Sequence, residues 1–156
     1  MEPKIEVIER KSTGVGSLIE LLLIDEYVLC IRTRDARRNV DGKDITVLRK
    51  LFGSQCKYLD GAVVEIIRRA RALGQVAPVT FAHSMKSTRL KRRNERLAGQ
   101  NQIIEALLED HESMIRALSY ESPHLSNEQD DTDTAVFAAG LAGQHLEMAG
   151  ALREWL

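Results

Sequence analysis

The sequence predicts an all-α protein, a four-helix bundle with one long crossover connection, on three observations. Between residues 45 and 73 apolar side chains recur at intervals of three and four without a break, the period of an amphipathic helix. Three further stretches are long and apolar enough to form helices of their own, and an extended polar connection separates the second helix from the third. A chain of 156 residues fits one domain, able to bury a sizeable core without disulfides or metals.

The first helix is built on LIELLLIDEYVLCI, residues 18–31, with Leu18, Leu21, Leu22, Ile24, Val28 and Ile31 on its main apolar side. Ile19 and Leu23 add apolar surface elsewhere, so this helix is expected to touch partners on more than one side, a bundle core and another subunit. The run is too short to span a bilayer and contains Glu20, Asp25 and Glu26, which excludes a membrane helix. The first twelve residues, MEPKIEVIERKS, are mixed in charge and lack the pattern of a secretory signal. A turn follows at NVDG, where Asp44 is placed to cap the second helix.

Ile45, Leu48, Phe52, Cys56, Leu59, Val63, Ile66, Ala70 and Leu73 mark the buried face of that second helix, which ends at Gly74. GQVAPVTFAH is a connector, with room for a short helix, and a very polar stretch follows it. A third helix is expected from about residue 101 to 120, with Ile104, Leu107, Leu108, His111, Ile115 and Leu118 inward, stopping before Ser122 and Pro123. Asp131 or Thr132 caps a fourth, whose apolar face includes Val136, Ala139, Leu146, Ala149 and Leu152. Gly140, Gly143 and Gly150 within it are read as sites of close helix packing, since each costs up to about 1 kcal/mol against alanine.

Charged residues make up 29% of the chain and the net charge is -1, so the global balance demands neither nucleic acid nor membrane. The two cysteines, Cys30 and Cys56, lie in apolar segments without metal-ligand spacing. Buried free thiols of this kind suit a reducing compartment, and the cytoplasm is the expected location.

Several segments, in matching order and spacing along nearly the whole chain, resemble the Dps group of the ferritin-like superfamily, the DNA-binding proteins from starved cells. They are MEP at the start, LLIDEYVL in the first helix, NVDG at the turn and LRKLF in the second helix, then RARALG, LLEDHE in the third helix and LREWL at the end. The resemblance implies one ferritin-like domain over residues 1–156, with 1–14 as an N-terminal tail and a short extra helix in the long connection between the second and third bundle helices. It also implies a homo-oligomeric, dodecameric cage that oxidises ferrous iron at sites shared between two subunits and stores mineral inside. The ligands in such proteins are a histidine in HWNV, a histidine in LHxLF, an Asp and a Glu in DEIAER, and often a further acid after LF.

This chain departs from the pattern at each of those positions. HWNV is RRNV here, with Arg37 at the first histidine, and LHxLF is LRKLF, with Arg49 at the second. DEIAER is VEIIRR, with Val64 for the aspartate and Arg68 for the glutamate, and Gly53 stands at the remaining acidic place. Ferrous iron needs imidazole or carboxylate donors, whereas a guanidinium keeps its proton and has no lone pair to offer. Neither a metal nor catalysis is therefore expected at the usual site, and iron, if carried, belongs in the cage interior.

The remaining constellations each have two readings. Arg37, Arg49 and Arg68 form either an anion pocket, because arginine forks suit phosphate or carboxylate oxygens, or an ion-pair network with Asp35, Asp41, Asp60 or Glu65. The basic segment 86–96, with Lys86, Arg89, Lys91, Arg92, Arg93 and Arg96, is either a DNA-phosphate contact repeated around a cage or a solvated surface. No aromatic residue interleaves it, and Lys4, Arg10 and Lys11 of the tail are balanced by Glu2, Glu6 and Glu9. Asp130, Asp131 and Asp133 either draw cations into a pore or favour a helix start. His111 and His145 are read as structural, hydrogen-bonded residues, and the one Glu-x-x-His pattern, Glu121 to His124, is interrupted by Pro123. Iron oxidation at a non-standard site, through inner-surface carboxylates such as Glu105, Glu109 or Glu112, is the alternative to loss of oxidation.

Overall fold

The computed structural model describes residues 15–75, 80–127 and 132–156. The proposed tail 1–14, with Lys4, Arg10 and Lys11, and the acids Asp130 and Asp131 lie outside the described residues. Five helices follow in order: α1 Val15–Asn39, α2 Ile45–Ala72, α3 Phe81–Ser87, α4 Gly99–Asn127 and α5 Thr132–Arg153. α1 packs along α2 and α4 along α5; α1 also packs on α4, and α2 touches α5, so the four long helices form the predicted bundle. The short α3 lies in the crossover and rests on α1. Among the described residues no helix is long and apolar enough to cross a membrane.

The core follows the periodicity of α2 closely: Leu48, Phe52, Cys56, Leu59, Ala62, Ile66 and Ala70 are buried. They meet Leu22, Val28 and Leu29 of α1, Ile104, Leu107, Met114 and Leu118 of α4, and Leu141 and Leu152 of α5. α1 is buried over most of its circumference, as its composition predicts, and the cover comes from within the chain, with α2, α4 and α3 packed on it. α2 ends in a Schellman closure: the Gln75 N–H donates to Ala70 O at 2.9 Å, Gly74 N–H donates to Arg71 O at 3.0 Å, and Gly74 supplies a φ of 72° that a side chain would resist.

Four local expectations are corrected. Asp44 stands at the N-cap of α2 but makes no side-chain cap; its carboxylate accepts instead from Gln100 Nε2 at 3.0 Å, tying the turn to the start of α4. α4 does not stop at residue 120. It runs through Pro123 to Asn127, at the cost of the hydrogen bond that residue 123 would have donated one turn back. The facing of α5 also differs: Val136 and Leu146 are 65% and 53% exposed, and Thr134, Ala138, Leu141, His145, Met148, Ala149 and Leu152 are buried. α5 is apolar on nearly every side, so period alone could not orient it, and the polar His145 occupies the inward position. A Cβ at Gly140, Gly143 or Gly150 would meet nothing within 4 Å, so close packing within the chain does not account for these glycines.

Candidate functional site

Arg37 near the end of α1 and Arg49 and Gly53 on α2 line one open cleft of about 980 Å³, together with Arg34, Arg38, Lys50, Cys56, Lys57 and Asp60. The intervals 49, 53 and 57 place three α2 positions on one face, opposite the α1 positions 34, 37 and 38. The Arg37 guanidinium lies across Gly53, with its Cζ and Nε 3.3 Å from where a Cβ would stand. Glycine at this position therefore does more than omit an acid; it leaves room for the arginine. Val64 and Arg68 do not join this cleft. Val64 is 56% exposed further along α2, and Arg68 donates to Glu65 Oε2 at 2.8 Å.

Of the acids proposed as partners, two are engaged among the described residues. Asp60 accepts from Arg34 and from the Cys30 thiol at 3.0 Å, and Glu65 pairs with Arg68 and, at 3.5 Å, with Arg69. Among the described residues no carboxylate pairs with Arg37, Arg38, Arg49, Lys50 or Lys57. The hydrogen bond from Cys30, helped by Arg34, holds Asp60 below the usual carboxylate range. Burial, and then Asp60, push the Cys30 thiol up to about 12. Burial also raises Cys56, although Arg34 and Arg37 pull the other way. Both thiols are thus held in the protonated form, which is neither nucleophile nor metal ligand.

The basic connector is largely a clamp. Arg89 donates from its backbone N–H and Nε to Asp25, at 2.8 and 2.6 Å, and from Nη1 to Glu121. Arg93 donates to Asp110 at 2.8 and 3.0 Å, to Ala106 O and to Glu109, while Arg32 of α1 reaches the same Asp110 at 2.9 Å. Lys91 pairs with Glu109 at 3.3 Å. Among the described residues only Lys86, Arg92 and Arg96 of this segment are left without an acidic partner. Of the carboxylates considered for a non-standard iron site, two are similarly occupied, Glu109 by Arg93 and Lys91 and Glu112 by Arg153 at 2.9 Å, while Glu105 is exposed. Asp133 is exposed in the first turn of α5. Among the described residues no three His, Cys, Asp or Glu side chains converge to hold a metal ion.

A second polar group lies inside the bundle, and the sequence showed only two of its three members. His145 of α5 bridges Glu26 of α1, Nε2 to Oε2 at 3.0 Å, and His111 of α4, Nδ1 to Nδ1 at 2.9 Å, and all three are fully buried. His111 and His145 behave as the structural histidines expected. Glu26 looked like one of several charges in an apolar run. Among the described residues, Glu26 Oε1 and His111 Nε2 have no hydrogen-bond partner.

Burial, and then His145, lower His111 to about 3 from an ordinary 6.5. The unfolded chain therefore binds a proton at His111 between those values that the folded chain excludes, and stability falls as pH drops through that window. Urea midpoints measured from pH 7 to 5 are expected to fall in the wild type as His111 takes up a proton in the unfolded chain alone. His111→Gln should flatten the dependence; an equal slope in both would assign it elsewhere.

Residues 17–156 match the Ferritin-like domain family. A low temperature-induced protein of Nostoc, described as uncharacterized, is 26% identical over 156 residues, covering 99% of this chain and 87% of that protein, and its homologue in Anabaena variabilis matches equally. Among solved structures, Dps from Thermosynechococcus elongatus superposes with a TM-score of 0.83 at 18% identity, over 90% of this chain and 88% of that one. Dps from Bacillus brevis gives 0.82 at 16% identity, over 90% and 93%. A Vibrio cholerae Dps, described as a member of a broad superfamily of ferritin-like diiron-carboxylate proteins, gives 0.81 at 17%, over 90% and 87%. The chain belongs to the ferritin-like domain family, and its fold is that of the Dps proteins.

Proposed function

We propose that this chain assembles into a Dps-type homo-oligomeric shell, a dodecamer in the cytoplasm, that does not oxidise ferrous iron at the position where such proteins share ligands between subunits. The shell acts as a scaffold, and any iron is stored in its interior without site-directed oxidation. One observation carries this reading: Arg37, Arg49 and Gly53 come together in a cleft where Asp60, the carboxylate among the described lining residues, is already held by Arg34 and Cys30. Among the described residues no free imidazole or carboxylate lines that cleft, and its fixed positive charge repels a divalent cation. DNA contact through the connector has the narrower footing of Lys86, Arg92 and Arg96. The low-temperature induction in the relatives' names fits a stress setting for such a shell.

Stopped-flow oxidation of ferrous iron by dioxygen and by peroxide tests the proposal. The wild-type protein is expected to leave the protein-free rate unchanged, and Arg37→Ala with Arg49→Ala to make no difference. Acceleration by the wild type that these substitutions abolish would sink it.

A further inference from the structure

We propose that the cleft between α1 and α2 is a binding site for a free oligophosphate, a small anion carrying several negative charges. The inference rests on the reading that this position has no role in binding iron. Six cations line the cleft, Arg34, Arg37, Arg38, Arg49, Lys50 and Lys57, against one acid, Asp60. Arg34 is matched by Asp60, which leaves five positive charges without a carboxylate among the described residues.

These charges converge from two helices on one concave surface, where mutual repulsion is relieved by a shared counter-ion and the concavity focuses the field on it. Guanidinium forks suit phosphate oxygens, and Arg37 is laid over Gly53 in a position that any side chain at residue 53 would disturb. Five unmatched cations favour an anion with several charges over a single carboxylate. Among the described residues no aromatic side chain lines the cleft, so a nucleic-acid base would find only guanidinium planes to stack on.

Calorimetric titration of the assembled wild-type protein with inorganic triphosphate at low salt tests this. Saturable binding that weakens as salt rises is expected, with a loss of at least tenfold in affinity in Arg37→Gln with Arg49→Gln. Lys86→Gln with Arg92→Gln, on the connector, should bind as the wild type does. A single-stranded oligonucleotide of matched charge should compete poorly; tighter binding of the oligonucleotide, lost with the same two arginines, would replace the proposal with a nucleic-acid site. No saturable binding by the wild type, or equal losses in both double variants, would overturn it, as would be the case if acids of a second copy fill the cleft.

Should the arginine variant fail to fold, labelling of the wild type by phenylglyoxal decides the matter, since Arg37, Arg49 and Arg92 are all exposed. Triphosphate should protect Arg37 and Arg49 and spare Arg92, and unchanged labelling would reject the site. Failure here leaves the iron reading intact, because that reading stands or falls on oxidation rates. Oxidation dependent on Arg37 and Arg49 would remove it whether or not triphosphate binds.

Discussion

His145→Ala is expected to lower the free energy of unfolding by about 3–5 kcal/mol, because it leaves two buried polar groups without their partner. His145 links α5 to both α1 and α4 through polar contacts in the core. Its loss leaves the Glu26 carboxylate without a partner for Oε2, when Oε1 already has none, and strips His111 of its Nδ1 contact. A cavity where the ring stood adds to the cost. Glu26→Ala should cost less, because it leaves one ring nitrogen of His145 without a partner, whereas His145→Ala strips both Glu26 and His111 of theirs. The triple change Glu26→Leu, His111→Leu, His145→Leu should recover much of the loss, since replacing every partner removes the unsatisfied groups together. Urea denaturation of the four proteins measures this; a loss under about 1 kcal/mol for His145→Ala would show that the chain of contacts contributes little.

The bundle was legible because α2 alternates apolar and polar positions cleanly over 28 residues, which dictates both its length and its facing. α5 was legible as a helix but not in its orientation, because a helix apolar on nearly all sides has no preferred face until tertiary packing chooses one. The end of α4 was misjudged for a different reason. Proline removes one hydrogen bond, and a helix can continue past it when neighbouring contacts hold the backbone, as Glu121 does through Arg89. Within the candidate site, Arg37, Arg49 and Gly53 could be placed together by the resemblance; helical spacing sets Arg34 beside Arg37 and Arg38 and Lys57 beside Gly53, but only the crossing of α1 and α2 joins the two sets in one cleft. The basic connector was the least legible part. Its acidic partners Asp25, Asp110 and Glu121 lie 17 to 64 residues away in sequence, so charge counting saw a free cationic run where folding makes a clamp.

Arg89→Ala is the second change with a large expected effect, a loss of about 3 kcal/mol. Arg89 is about one-third exposed, but the groups it serves are not: the Asp25 side chain is 1% exposed and that of Glu121 7%. Truncation leaves Asp25 with Thr88 Oγ1 at 2.8 Å and the residue-89 backbone N–H, and leaves Glu121 facing Asp25 without the intervening cation. Burial already raises Glu121 above its ordinary value against the pull of Arg89, and Asp25 adds to the rise. Without Arg89 that rise grows, so the variant's penalty is greatest above the folded value and shrinks as Glu121 takes up a proton on acidification. Arg89→Lys should restore only part of the loss, because one ammonium cannot bridge both carboxylates as the guanidinium does. Urea midpoints at pH 7.5 and 5 for wild type, Arg89→Ala and Arg89→Lys test the order and the sign, and an unchanged deficit at the lower pH would rule out Glu121 as its source. The same clamp determines how nucleic-acid binding must be probed: loss of DNA retention in Arg89→Ala or Arg93→Ala would report a loosened connector, so a phosphate contact is tested at Lys86, Arg92 and Arg96 instead.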